Sequence, residues 1–219
     1  MTAFRIIAGV VIAALLAGFG YDLRRRMKSW KGAGEFLSRQ FRDIRHGRGN
    51  AGALSRARRI VTIVSVGLLL ILALTGFLPV VFLGIHLTGV LLVIHVTAAP
   101  LFAIALSALA LLWAHRLRFD GSDLQIALGS LKRESQGKDP LVRFALKAGF
   151  WLILTLSLPL MLTVVLGLFP LFGTGGESML IRLHGYSALL LLVGALCELY
   201  LIGAYMEQTT EQPLKEQNP

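Results

Sequence analysis

Five stretches of this chain are apolar almost without interruption: Phe4 to Gly20, Ile60 to Phe82, Ile85 to Ala114, Ala148 to Phe172 and Met179 to Tyr205. Each is close to or above the ~20 residues that an α-helix needs to cross the hydrocarbon of a bilayer. None alternates with the short two-residue period of a transmembrane strand. The pattern therefore predicts an all-α membrane protein with five transmembrane helices, because helices satisfy their own backbone groups in lipid. It also predicts an organisation: an N-terminal anchor over residues 1–20, a basic loop over 21–59, a four-helix bundle over 60–206 and a short tail over 207–219.

Two of the hairpins formed by these stretches read alike. The first runs Gly76-Phe77-Leu78-Pro79, then a short turn, then His86-Leu87-Thr88-Gly89 and an apolar run. The second runs Gly167-Leu168-Phe169-Pro170, then a turn seven residues longer, then His184-Gly185-Tyr186-Ser187 and a run of leucines. On this reading His86 and His184 each open the helix that follows, at matching depth.

Composition agrees, with 55% hydrophobic residues and a mean hydropathy of +0.70. The net charge of +10 changes the picture only through its distribution. Twelve of the 22 Lys and Arg lie between Tyr21 and Arg59, and seven more lie between His115 and Lys147. Basic loops stay on the cytoplasmic side. The N-terminus is then outside, the two basic loops and the C-terminus inside, and both histidine-bearing turns face out, in a cytoplasmic membrane. The charge implies anionic lipid as a partner and no nucleic acid. Charge following the first apolar stretch (Arg24, Arg25, Arg26, Lys28) marks a retained anchor rather than a cleaved leader. Small residues Gly9, Ala13, Ala17 and Gly20 share one face of it, suited to helix packing. Apolar residues at helical spacing between Gly34 and His46 predict an amphipathic surface helix or a docking surface in the basic loop. The mixed-charge stretch Asp120–Asp139 reads as a solvated connection. Cys197, the single cysteine, excludes an intrachain disulfide and a CxxCH haem attachment.

Ionisable residues inside apolar spans are costly and mark candidate sites. A lone histidine at such a place reads as an interfacial residue with one edge in water. Two at equivalent positions point to a shared ligand, and for paired imidazoles that ligand is haem iron. Gly89 and Gly185 would let a flat macrocycle approach helix backbone, and Arg182 would pair with a propionate. His95 lies nine residues past His86, ~180° around an ideal helix, facing away from that pocket. Glu198 lies fourteen residues past His184 and ~21 Å deeper. Both are candidates for a quinone or proton site, with local hydrogen bonding as the plainer alternative. His46 and His115, beside arginines, read as solvated.

The Thr75-Gly76 hairpin end, His86-x-x-Gly89 and the His184 start resemble the four-helix cytochrome b subunits of formate dehydrogenase, nickel–iron hydrogenase and thiosulfate reductase complexes. The resemblance covers residues 60–205. It implies an electron-transfer subunit, not a stand-alone enzyme. Haem b would link a quinone pool to a redox carrier among its partner subunits at the outer face. The inner haem of that family calls for histidines near Val61 or Thr62 and at Glu198. Neither place holds one, so one haem b is expected, with His95 or His115 the candidates for supporting a second. The alternative is a haem-free membrane subunit that anchors or assembles a larger complex.

Overall fold

The computed structural model describes residues 2–26, 53–128, 138–169 and 171–216. All regular structure among them is helical: α1 (Thr2–Arg26), α2 (Ala53–Phe77), a π-helical segment (Leu78–Leu83), α3 (Gly89–Trp113), α4 (Gly121–Ala127), α5 (Lys138–Gly167) and α6 (Gly173–Glu216). Five of the helices are long and apolar enough to cross a membrane. Their large side chains, from Ile6 and Val10 to Leu190 and Ile202, are widely exposed on the chain. In water such a surface would aggregate; against lipid tails it is the expected exterior. The chain is an all-α, multi-pass membrane protein. The basic stretch 27–52, with its expected amphipathic helix and His46, lies outside the described residues.

The chain forms two compact units, Met1–Leu112 and Trp113–Pro219. In the first, α2 and α3 form an antiparallel hairpin: Thr75 stands opposite His95 near one end, and Arg58 Nε donates to the Leu112 carbonyl, 2.8 Å away, at the other. The turn between them is set by Pro79, which has no N–H to continue the α ladder. The ladder widens to the π spacing, closed by the Gly84 N–H on the Pro79 carbonyl, with Gly84 in the left-handed region at φ +69°. The anchor α1 joins this unit instead of standing apart. Phe4 stacks on Phe77 with ring centroids 6.5 Å apart, and Ala8 is fully buried. Of the two glycines on the small-residue face, Gly9 meets a neighbour: a Cβ there would lie 3.6 Å from Val81, whereas one on Gly20 would meet nothing within 4 Å.

In the second unit α5 and α6 form the larger hairpin. Thr163 lies against His184, Gly194 against Leu156 and Ile153, and Gly149 against Glu198. α6 begins at Gly173, not near Met179, and its backbone is helical to Glu216, well into the expected tail. Gly173 is left-handed at φ +62°, and from Thr174 to Gly176 the glycine-rich stretch is helix, not turn: the Gly176 N–H donates to the Phe172 carbonyl, 3.3 Å away. A side chain on Gly176 would overlap the Phe172 side chain. Glycine here serves close approach, a use that a turn-based reading mistakes for a loop.

The stretch after Asp120 is also more than a solvated connection. Asp120 caps α4 in a reciprocal box with Asp123, and Lys147 of α5 reaches both carboxylates, 3.0 Å from Asp120 and 2.6 Å from Asp123. Asp123 is buried, so Lys147→Ala would leave its carboxylate without a counter-ion. We expect that variant to lose about 2 kcal/mol, less than a wholly buried pair because Asp120 is solvated. Denaturation in detergent, followed by the fluorescence of Trp151, checks this; the Trp151 indole donates to the Leu117 carbonyl beside the clamp. The Ser122 hydroxyl and then the Lys147 ammonium hold the Asp120 carboxyl well below the usual carboxylate range. A depressed carboxyl contributes stability above its ordinary pKa and loses it as pH falls. Asp120 should therefore keep its clamp above about pH 4 and release it progressively in stronger acid.

Candidate functional site

The hairpin register decides which residues correspond. Thr75 and His95 are 20 residues apart and meet through Oγ1 and Nδ1 at 2.9 Å. Thr163 and His184 are 21 apart and meet through the same atoms at 3.3 Å. Each histidine thus lies about ten residues beyond the apex of its own hairpin, and each threonine as far before it. At 1.5 Å per residue His95 sits ~9 Å along α3 from its start at Gly89, and His184 ~16 Å along α6 from Gly173. Thr75 and Thr163 are both buried, and the rings are half-buried.

His86 is placed differently from the expectation. It does not open a helix: α3 begins three residues later, at Gly89, whose φ is +60°. His86 stands at the apex, exposed, in the non-helical stretch between Gly84 and Gly89. His184 does not open a helix either; it lies eleven residues into α6. The two are therefore not at matching positions, and the 180° separation of His95 from His86 has no meaning, because only His95 is on the helix. Two left-handed glycines bracket the apex, and the helical wheel does not pass through them.

The other expected residues fall as follows. Gly89 is exposed, and a Cβ there would meet nothing within 4 Å. Arg182 is exposed on α6, nine residues inside the helix, and Gly185 is half-buried beside His184. Gly76 gains a use that its position as a hairpin end did not suggest: a Cβ would lie 3.1 Å from His95 Cε1, so its absence lets the ring lie against α2. Glu198 sits in a notch that Gly149 opens in α5, and its Oε2 is buried without a hydrogen-bond partner among the described residues. Gly149→Ala would overlap that oxygen. The carboxylate is flexible and should give way, so we expect a loss of only about 1 kcal/mol, recovered in the Gly149→Ala/Glu198→Ala pair by detergent denaturation.

The local chemistry of each Thr–His contact is legible from donor count. A threonine hydroxyl has one proton. Thr75 Oγ1 is 2.7 Å from the Ile71 carbonyl of its own helix, and Thr163 Oγ1 is 2.8 Å from the Leu160 carbonyl. Both are the back-bonds by which helical threonines satisfy themselves in apolar surroundings. No group of three or more His, Cys, Asp or Glu side chains able to hold a metal ion occurs among the described residues. Any metal held by these imidazoles would thus come with other ligands, as iron does in a macrocycle.

The fold and these contacts define a multi-pass helical membrane protein with a threonine-held histidine inside each hairpin. No family model matches the chain, and no curated protein or solved structure matches it.

Proposed function

We propose that the protein is a membrane electron-transfer subunit that holds haem b and exchanges electrons between a quinone pool and a redox partner at the outer face. The observation that supports it is the pair of half-buried imidazoles within apolar helices, each fixed through Nδ1 by a buried threonine. A ring held at one nitrogen is already oriented and has little freedom left to lose on binding. His184, His95 and His86 are the candidate axial ligands. Bound there, haem b would supply a one-electron couple; the protein's own residues would position it, exclude water and set ligand basicity.

The surrounding assignments follow the same reading. The positive loops support an orientation with the N-terminus outside and the C-terminus inside a cytoplasmic membrane. Glu198, with one oxygen unpaired among the described residues, is the candidate for the proton that accompanies quinone chemistry, and Arg182 for a propionate. Substrate chemistry would belong to partner subunits. The test is a reduced-minus-oxidised spectrum with pyridine haemochrome quantitation on the purified protein. A haem b spectrum at about one haem per chain is the expected result. A folded protein with no haem overturns the reading and leaves a membrane anchoring or assembly subunit as the function.

A further inference from the structure

One cation of the first unit has no carboxylate beside it. Between Met1 and Tyr21, Arg5 is the single charged side chain. It stands in the opening turns of α1 and lays its guanidinium on the apex of the α2–α3 hairpin. Both terminal nitrogens lie 2.6 Å from where a Cβ on Gly84 would stand. Its Nε is buried without a hydrogen-bond partner among the described residues. The one carboxylate side chain described in that unit is Asp22, ~25 Å further along α1.

Other cations are as distant. Arg24 lies at the far end of α1, Arg56 and Arg58 at the far end of α2, and Ile60–Leu112 contains no Lys or Arg. Among the described residues of this unit, Arg5 is thus a solitary fixed charge at one end of three helices long enough to span a membrane. The residues next to it are apolar along the spans and polar at the apex. Ile6 on α1 and Leu78, Phe82 and Leu83 on the π-helical segment are exposed. His86, two residues past Gly84, is exposed in the non-helical stretch. A small aqueous anion gains nothing from the apolar rim. A phospholipid does, because its phosphate needs donors where its acyl chains need an apolar wall.

We propose that Arg5 and the apex of the first hairpin bind the phosphate of an anionic phospholipid, with Arg5 as the principal donor and His86 as a second. A guanidinium holds phosphate oxygens through paired N–H bonds. A zwitterionic lipid brings its own ammonium, so a guanidinium without a counter-ion favours a lipid of net negative charge. The bound phosphate fastens the anchor to the hairpin. In α1 the contacts lie in the first turns, where Phe4 stacks on Phe77 and Gly9 meets Val81, whereas a Cβ on Gly18 or Gly20 would meet nothing within 4 Å. The site does not depend on haem, and it lies at the opposite end of the spans from Arg24, Arg56 and Arg58.

The experiment is photocrosslinking of the full-length protein in phosphatidylcholine nanodiscs, with a trace of phosphatidylglycerol carrying a diazirine in its acyl chain, read by peptide mass spectrometry. In the wild type, label is expected on Leu78–Ile85 and on the first turns of α1. Arg5→Gln should lower that labelling roughly tenfold or more, His86→Ala by a smaller factor, and Arg5→Lys should retain more than Arg5→Gln. Labelling around Arg24 and Arg56 should stay constant across the variants. The same probe with a choline headgroup should label the apex far less, and inorganic phosphate should not compete. Equal apex labelling in wild type and Arg5→Gln, or by the two headgroups, overturns the proposal. Loss of labelling on adding inorganic phosphate overturns the lipid assignment in favour of a free-anion site. The headgroup and phosphate comparisons use the wild type alone, so they decide the matter even if Arg5→Gln does not fold.

Discussion

His184→Ala is expected to strip the purified protein of haem b, and His95→Ala to do the same, while His86→Ala retains it. Register within each hairpin sets the difference. His95 and His184 are each opposed by a buried threonine at 2.9 and 3.3 Å, about ten residues from their hairpin apices. His86 is at the apex itself, exposed and outside any helix. Losing an outer-shell partner alone costs roughly 10–100-fold in metal affinity. Losing the coordinating imidazole itself should exceed the upper end of that range, leaving no measurable haem after purification. Haem quantitation by pyridine haemochrome across the three variants, each checked for monodispersity, reads the result directly. Loss in His86→Ala with retention in His95→Ala would restore the pairing that the linear sequence suggests and would assign the apex as the site.

Gly84→Val should be the most damaging substitution outside the histidines, lowering stability by about 3 kcal/mol. Two costs add at this position. Its φ of +69° is a region that β-branched residues almost never occupy. A Cβ would also lie 2.6 Å from both terminal nitrogens of Arg5, whose guanidinium packs over the glycine from α1. The Arg5 Nε is already buried without a hydrogen-bond partner among the described residues, so displacement of the side chain disturbs the seat of the anchor helix. Gly89 is the internal control: its φ is +60°, yet nothing lies within 4 Å of its Cβ. Gly89→Val should therefore cost only the backbone strain, about 2 kcal/mol. Adding Arg5→Ala should bring Gly84→Val to the same level as Gly89→Val. Denaturation midpoints in one detergent, converted with a common slope, test the ordering; equal losses at Gly84 and Gly89 would show that α1 does not depend on this contact.

Much of the protein was legible in its residues. Five long apolar stretches predict five helices because an unpaired backbone is intolerable in lipid, whatever the neighbours do. Inside those stretches, His95, His184 and Glu198 are conspicuous because ionisable groups are scarce there. The errors share one origin. Gly76–Pro79 and Gly167–Pro170 look like the same hairpin end, and aligning on them equates His86 with His184. Yet the first hairpin spends its next residues on a π-helical turn and two left-handed glycines, Gly84 and Gly89, while the second re-enters α-helix through one, Gly173. A proline and a glycine announce that the helix must change, not how many residues the change takes. The Lys147 clamp on Asp120 and Asp123 was hidden for a related reason: its partners are 27 and 24 residues away, beyond any helical period.

The sequence by itself determined the class of protein and the charge asymmetry, because burial in lipid and loop charge act residue by residue along the chain. Which residues face one another was decided only in three dimensions. Antiparallel register sets Thr75 against His95, Thr163 against His184 and Gly149 against Glu198. That register depends on turn geometry, and one residue more at an apex would rotate every facing pair by about 100°.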